Sequence, residues 1–187
     1  MKVLHLLKTN TGAAWAFRLI SRLSDYRVES TVVMPSATDG YADRYKSIGV
    51  KVVPATVDIA SIAPWALPGV CRTLREVVEK EPYDIVHSHF FGTTITARIA
   101  LSRCEGPPRL FQIPGPLHLE HPIPRLMDMG TAREMDFYVA TTSYTRELLL
   151  RAGVDAARIF LSYYGTDGDD FHGHRTGRLR DNQGIPH

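Results

Sequence analysis

The chain has 187 residues, 44% hydrophobic and 22% charged, with a formal charge of +2. That balance belongs to a globular domain and excludes a disordered chain. Without a basic tract the small charge gives no footing for nucleic acid, and no apolar run reaches the ~18 residues of a membrane span.

Two cysteines, Cys71 and Cys104, are too sparse for a disulfide framework and read as reduced thiols. The apolar run inside 1–8 is too short and interrupted for a signal peptide, so a cytoplasmic protein is expected.

In chain order, 3–7 is apolar on both faces and predicts a strand buried between helix layers. A polar turn, Lys8-Thr9-Asn10-Thr11-Gly12, leads into a helix over 13–23, with Arg18 and Arg22 stacked four apart away from its apolar stripe. Further strands are predicted over 28–34, 50–53, 84–89, 109–113, 136–140 and 159–163. Helices are predicted over 41–48, 69–80, 93–102, 124–135 and 144–152, the last capped by Ser143 and stopped by Gly153. Residues 55–70 are irregular and punctuated by Pro64 and Pro68. The apolar stretch 62–68, with Trp65, is expected to pack over the sheet edge, and contact with a membrane or lipid acceptor is the rival reading.

About seven strands alternating with six helices predict an α/β fold: a Rossmann-like, doubly wound parallel sheet in a three-layer sandwich. The expected organisation is a domain over 1–170 and a linker or tail over 171–187, where periodicity is lost and His172 and His174 carry no assignable role.

Open α/β sheets bind ligands beyond the carboxyl ends of their strands. That rule selects the turn Asn10-Thr11-Gly12, where amides at a helix start favour phosphate, although both the G-x-G-x-x-G and Walker patterns are missing. It also selects His87 and His89, two apart and therefore on one face of a strand end. The stretch from Gly115 to Pro122 is the third choice: His118 and Glu120 alternate with apolar residues and face the cleft if the loop is extended, while His121 faces away. Ser143 and Tyr164 complete the set. Histidines suit proton transfer or charge stabilisation near neutral pH. His5, mid-strand, is expected to be a satisfied core histidine.

The segment Asp84-Ile85-Val86-His87-Ser88-His89-Phe90 resembles the D-V-V-H-x-H strand of retaining glycosyltransferases of family 4. The stretch from Asp136 to Ser143, the stretch Leu148–Gly153 with Arg158-Ile159, the run Tyr164-Gly165-Thr166-Asp167 with Phe171, and the run from Leu179 to Pro186 resemble later motifs of that family, in order. The resemblance implies the N-terminal, acceptor-side half of a GT-B enzyme whose C-terminal, donor-binding domain is absent. Such an enzyme moves a sugar from a nucleotide-sugar to a sugar or lipid-linked acceptor, with retention and with neither metal nor cofactor. The isolated chain is then expected to be inactive, and the enzyme to work in the cytoplasm, including at the inner face of the membrane. Two positions depart from the pattern: Thr11-Gly12 replaces a Gly-Gly turn, and Pro114 stands where the family has a histidine. His118 or His89 is expected to take over that catalytic role, with Asn10, Thr11, Gly12, His87, Gly115, Glu120, Ser143 and Tyr164 binding substrate or phosphate. The alternatives are a metal-dependent hydrolase using His87, His89, His118 and His121, or a non-catalytic flavodoxin-like binding module. Oligomeric state is not readable from the sequence.

Overall fold

A strand apolar on both faces is stable only between two layers, and that is how β1 (Lys2–Leu6) is used. The computed structural model describes residues 1–102 and 106–165. Cys104, Thr166, Asp167, Phe171, His172, His174 and the 171–187 tail lie outside the described residues.

After β1 come α1 (Ala14–Leu23), β2 (Glu29–Met34), α2 (Gly40–Ser47), β3 (Lys51–Pro54), α3 (Leu67–Lys80), β4 (Ile85–Ser88) and α4 (Phe91–Ala100). The chain continues through β5 (Arg109–Ile113), α5 (Leu117–Glu120), α6 (Pro122–Thr131), β6 (Asp136–Ala140), α7 (Ser143–Arg151) and β7 (Ile159–Leu161). The seven strands form one sheet in the order β3-β2-β1-β4-β5-β6-β7, parallel at every pairing. The Rossmann-like α/β expectation therefore holds. The order reverses between β1 and β4, which makes their seam the topological switch point.

Alternation sorts side chains to two faces. On one, Leu4, Leu6, Val33 and Val86 bury against α3 and α4, while Phe111, Ile113, Tyr138 and Ala140 bury against α5, α6 and α7. On the other, Leu7, Val32 and Met34 pack with Ala16, Ile20, Ala42 and Tyr45 of α1 and α2. Those two helices serve the β1–β3 side only. Beyond them the second face is less covered: Leu110, Phe137 and Val139 are half-buried and Phe160 is exposed. Two layers of helix thus exist, but among the described residues the second reaches across only part of the sheet.

Three local expectations change. Thr142, not Ser143, caps α7: its side chain accepts from the Thr145 N–H at 3.0 Å. The irregular 55–70 segment folds into two short 3₁₀ turns before α3 begins at Leu67, two residues earlier than the glycine suggested. Trp65 does not pack over the sheet edge; it is 85% exposed, and the neighbouring Leu67 and Val70 make the core contacts instead. Pro64 and Pro68 stand in the first turns of the second 3₁₀ helix and of α3, and both are exposed, as the indole is.

Two glycines are set by sterics. Gly40, at φ 51°, runs so close to the β1–α1 turn that a Cβ would meet Asn10 O at 2.4 Å. Gly92, in the first turn of α4, lies against Asp58, whose Oδ1 would fall 1.6 Å from a Cβ.

Candidate functional site

The switch point is occupied by three histidines. His5 and His87 are register partners on β1 and β4, and His89 follows two residues after His87. Because i and i+2 share a face, all three rings project to the side of the sheet that carries α1. Their centroids lie 5.3 Å (His5–His87), 5.3 Å (His5–His89) and 4.1 Å (His87–His89) apart.

His5 Nδ1 is 3.0 Å from His89 Nε2, and His5 Nε2 is 3.3 Å from Ser30 Oγ. His5 is thus a core histidine with partners at both nitrogens, but it belongs to the site rather than standing apart. Burial, reinforced by the neighbouring rings, holds His5 and His89 well below the usual histidine range. Burial alone pushes His87 down to about 3. All three are therefore neutral at pH 7, each with one N–H and one lone pair. His87 Nε2 has no hydrogen-bond partner among the described residues, while His89 Nδ1 and the Oε1 of the buried Gln112 side chain beside it lack a well-formed hydrogen bond to any described residue. Each such group costs roughly 1–3 kcal/mol while it stays unpaired. Trp15 of α1 covers His89 at 5.4 Å.

His118 is elsewhere. The 115–122 loop is not extended: Pro116 and Pro122 bracket it, and Leu119 and Glu120 donate back to Pro116 O, closing the short helix α5. In a helix residues two apart point in different directions, so His118 turns inward and is 8% exposed while Glu120 turns out to accept from Tyr144 Oη at 2.9 Å. The His118 ring stacks on Phe91 and meets Phe111 at a tilt, and its Nε2 is 3.0 Å from Asp128 Oδ2. Asp128 also accepts from Arg98 and, at 3.4 Å, from Tyr138 Oη. Arg98 Nε lies 3.2 Å from Asp136, which Arg109 holds with two bonds of 2.8 and 3.0 Å. Burial pushes the Asp128 carboxyl upward, but His118 and Arg98 outweigh it and keep it below its ordinary value.

The remaining candidates divide. Asn10 is occupied at both ends: it donates to Ser36 O at 2.9 Å and accepts from Ser36 N at 3.0 Å, tying the first turn to the β2–α2 loop. The Thr11 amide is already taken by Thr9 Oγ1 at 3.1 Å, which leaves Gly12 as the open part of that turn. Gly12 sits at φ 76° with nothing within 4 Å of a Cβ, just before α1, whose start has no side-chain cap. Gly115 is half-exposed at the end of β5. Ser143 Oγ lies 2.7 Å from Tyr163 Oη, and Tyr164 meets Trp15 at 5.2 Å with the rings tilted by 47°.

The four-histidine hydrolase set is not assembled. His118 is locked to Asp128, His121 is exposed ahead of α6, and the group whose nitrogens converge is His5, His87 and His89, which contains no carboxylate. Sequence reasoning missed Trp15, Gln112, Arg98 and Asp128. A lone arginine in the otherwise apolar and small-residue helix α4 was the readable signal for a buried charge pair. Nothing in the sequence pointed to Gln112.

The family model described as "Glycosyl transferase 4-like domain" matches residues 11–165. No curated protein matches significantly. Among solved structures, the chain is similar to Anabaena HepE in complex with UDP-glucose, with TM-score 0.71 and 18% identity over 98% of this chain and 50% of that one. It is also similar to sucrose-phosphate synthase from Thermosynechococcus elongatus, with TM-score 0.70 and 11% identity over 100% of this chain and 53% of that one. MurG of Acinetobacter baumannii gives TM-score 0.60 and 11% identity over 94% and 50% respectively. The chain spans about half the length of these structures.

Proposed function

Because the chain belongs to the glycosyl transferase 4-like domain family, we propose that it is the acceptor-side half of an enzyme that moves a sugar from a nucleotide-sugar to an acceptor hydroxyl. The observation that carries this reading is the family match across residues 11–165, which includes the loops at the carboxyl edge of every strand after β1. The bound UDP-glucose of the HepE structure supports a nucleotide-sugar as donor.

The chemistry asked of this half is positioning and charge stabilisation. In the proposal the Gly12 turn approaches phosphate, where a missing Cβ and a helix start leave room for an anion. His89 and His118 act from beneath the surface. Neutral at pH 7, His89 holds a nitrogen in reserve for a sugar hydroxyl, while Asp128 fixes the tautomer of His118. Transfer proceeds with retention and without a metal, on a sugar or lipid-linked acceptor, and the half chain alone does not turn over. A cytoplasmic setting at the inner face of a membrane fits the exposed Trp65, and no described helix is long and apolar enough to cross one.

The test is transfer by the full-length enzyme carrying this domain. His89→Ala and His118→Ala are each expected to lower kcat by about 10² or more, the usual scale for a positioned acid, base or dipole. Unchanged rates in both variants would remove these histidines from the mechanism.

A further inference from the structure

The sugar-transfer reading draws on one of the three switch-point histidines and leaves their grouping unexplained. His5 and His87 are register partners and His89 follows on the same face, so the three rings share one patch of the sheet. One ring nitrogen from each lies within 4.8 Å of one from each of the others. His5 Nδ1 and His89 Nε2 are already 3.0 Å apart. Two nitrogens held by one tetrahedral zinc ion, at roughly 2.0–2.1 Å each, stand about 3.4 Å apart. One pair is therefore at ligand spacing, and the third ring has at most about 1.4 Å to close.

Three further features select the ligand. The donors are all imidazole, which suits zinc, copper and nickel, whereas magnesium and calcium require oxygen, and no described carboxylate belongs to the group. Outer partners are also in place. A metal-bound histidine hands its far N–H to an oxygen, which fixes its tautomer and orientation. Ser30 Oγ stands 3.3 Å from His5 Nε2, and the Gln112 side chain lies beside His89 Nδ1. With the N–H groups turned to Ser30 and Gln112, the facing nitrogens His5 Nδ1 and His89 Nε2 both present lone pairs. A cation between them replaces the hydrogen bond they otherwise share. Finally, His87 Nε2 is buried without a hydrogen-bond partner among the described residues, and a metal ion takes up a lone pair that no described donor meets. Trp15 covers His89 and, with Gln112 and Tyr164, lines a cavity of about 350 Å³, which supplies a way in and room for water.

We infer that His5, His87 and His89 form a binding site for a divalent transition-metal ion of the zinc class, with a water from the adjoining cavity as fourth ligand. The ion acidifies that water, and as hydroxide the water offsets one of the two charges brought into a neutral site. Coordination ties β1 to β4 across the switch point. The site goes beyond the transfer reading, in which no metal acts, and binding is independent of turnover.

The experiment strips the untagged 187-residue chain with a chelator and titrates it with Zn²⁺, Mg²⁺ and Ca²⁺ by calorimetry, and with Co²⁺ by visible absorption. Zn²⁺ is expected to saturate at one ion per chain, at least about 100-fold tighter than Mg²⁺ or Ca²⁺. Co²⁺ is expected to give the intense d–d bands of a tetrahedral site, a readout that needs no variant. H87F, with its fold checked by circular dichroism, is expected to weaken Zn²⁺ by about 100-fold or more. S30A keeps all three rings and is expected to weaken it by roughly 10-fold. The tail histidines are controlled by H172A/H174A/H187A, which is expected to keep full affinity. No saturable Zn²⁺ binding, equal affinity for Mg²⁺, faint octahedral Co²⁺ bands, unchanged affinity in H87F, or loss in the tail variant would overturn the inference. If the full-length enzyme fails to transfer sugar while Zn²⁺ still binds, the transfer reading falls and the site stands.

Discussion

Two clusters of buried polar side chains lie on opposite faces of the same sheet, and they are built on opposite terms. The one under α4 and α6 is charged and ion-paired: Arg98, Asp128, Asp136 and Arg109 form a chain of ion pairs, with His118 and Tyr138 also bonded to Asp128, although Arg98 Nε and Nη2 make no hydrogen bond among the described residues. The one beside α1 is neutral and incomplete: His5, His87 and His89 share one mutual contact of 3.0 Å, and two of their nitrogens lack a partner among the described residues. Removing water from a charge is tolerable only when another charge replaces it. The first cluster therefore fixes how α4, α6, β5 and β6 sit together. The second carries an unmet demand for hydrogen bonds at the switch point of the sheet, where a ligand is the natural means of meeting it.

The contrast breaks most visibly at Asp128. Asp128→Ala strands Arg98 and His118, and the loss in unfolding free energy is expected to be about 3–5 kcal/mol by urea denaturation, since a buried charge loses its partner. A loss below 1 kcal/mol would mean that the paired cluster does not organise that face.

The histidine cluster is sharpened by pH. Folded His87 titrates at about 3, below its ordinary 6.5, with His5 and His89 also depressed. The unfolded chain then binds more protons in acid, so this contribution is complete above about pH 6.5 and is lost as pH falls. Stability should drop by up to ~1.4 kcal/mol per pH unit for each ring between pH 6.5 and 4. His87→Phe is expected to flatten that slope at little cost at pH 7, because it removes an unpaired nitrogen rather than a bond. An unchanged slope in urea melts at pH 4.5 and 7 would show that His87 is already protonated or hydrated.

The smallest effect provides a baseline outside both clusters. Gly12→Ala meets no atom within 4 Å but must keep φ 76°, so only the backbone term of about 1–2 kcal/mol is expected in the same melts. A much larger loss would reveal packing around the first turn that the sterics do not show.

The sequence by itself determined the parallel α/β sheet and its strands. Those depend on local patterning: β-branched runs buried on both faces, amphipathic helices between them, and Pro and Gly at the breaks. It also placed His87 and His89 on one face, because side-chain alternation along a strand is fixed by the backbone. Only the tertiary structure decided what surrounds them. His5 joins His87, 82 residues away in sequence, through the register of two strands, and Gln112 reaches His89 from a third strand. His118 left the cleft because two prolines turned an apparent alternation into a helical turn, and Asp128, buried a helix away, gave its ring a partner. Pairing across a sheet and burial against a remote helix are long-range properties, set by which surfaces can exclude water together, and no window of the sequence contains them.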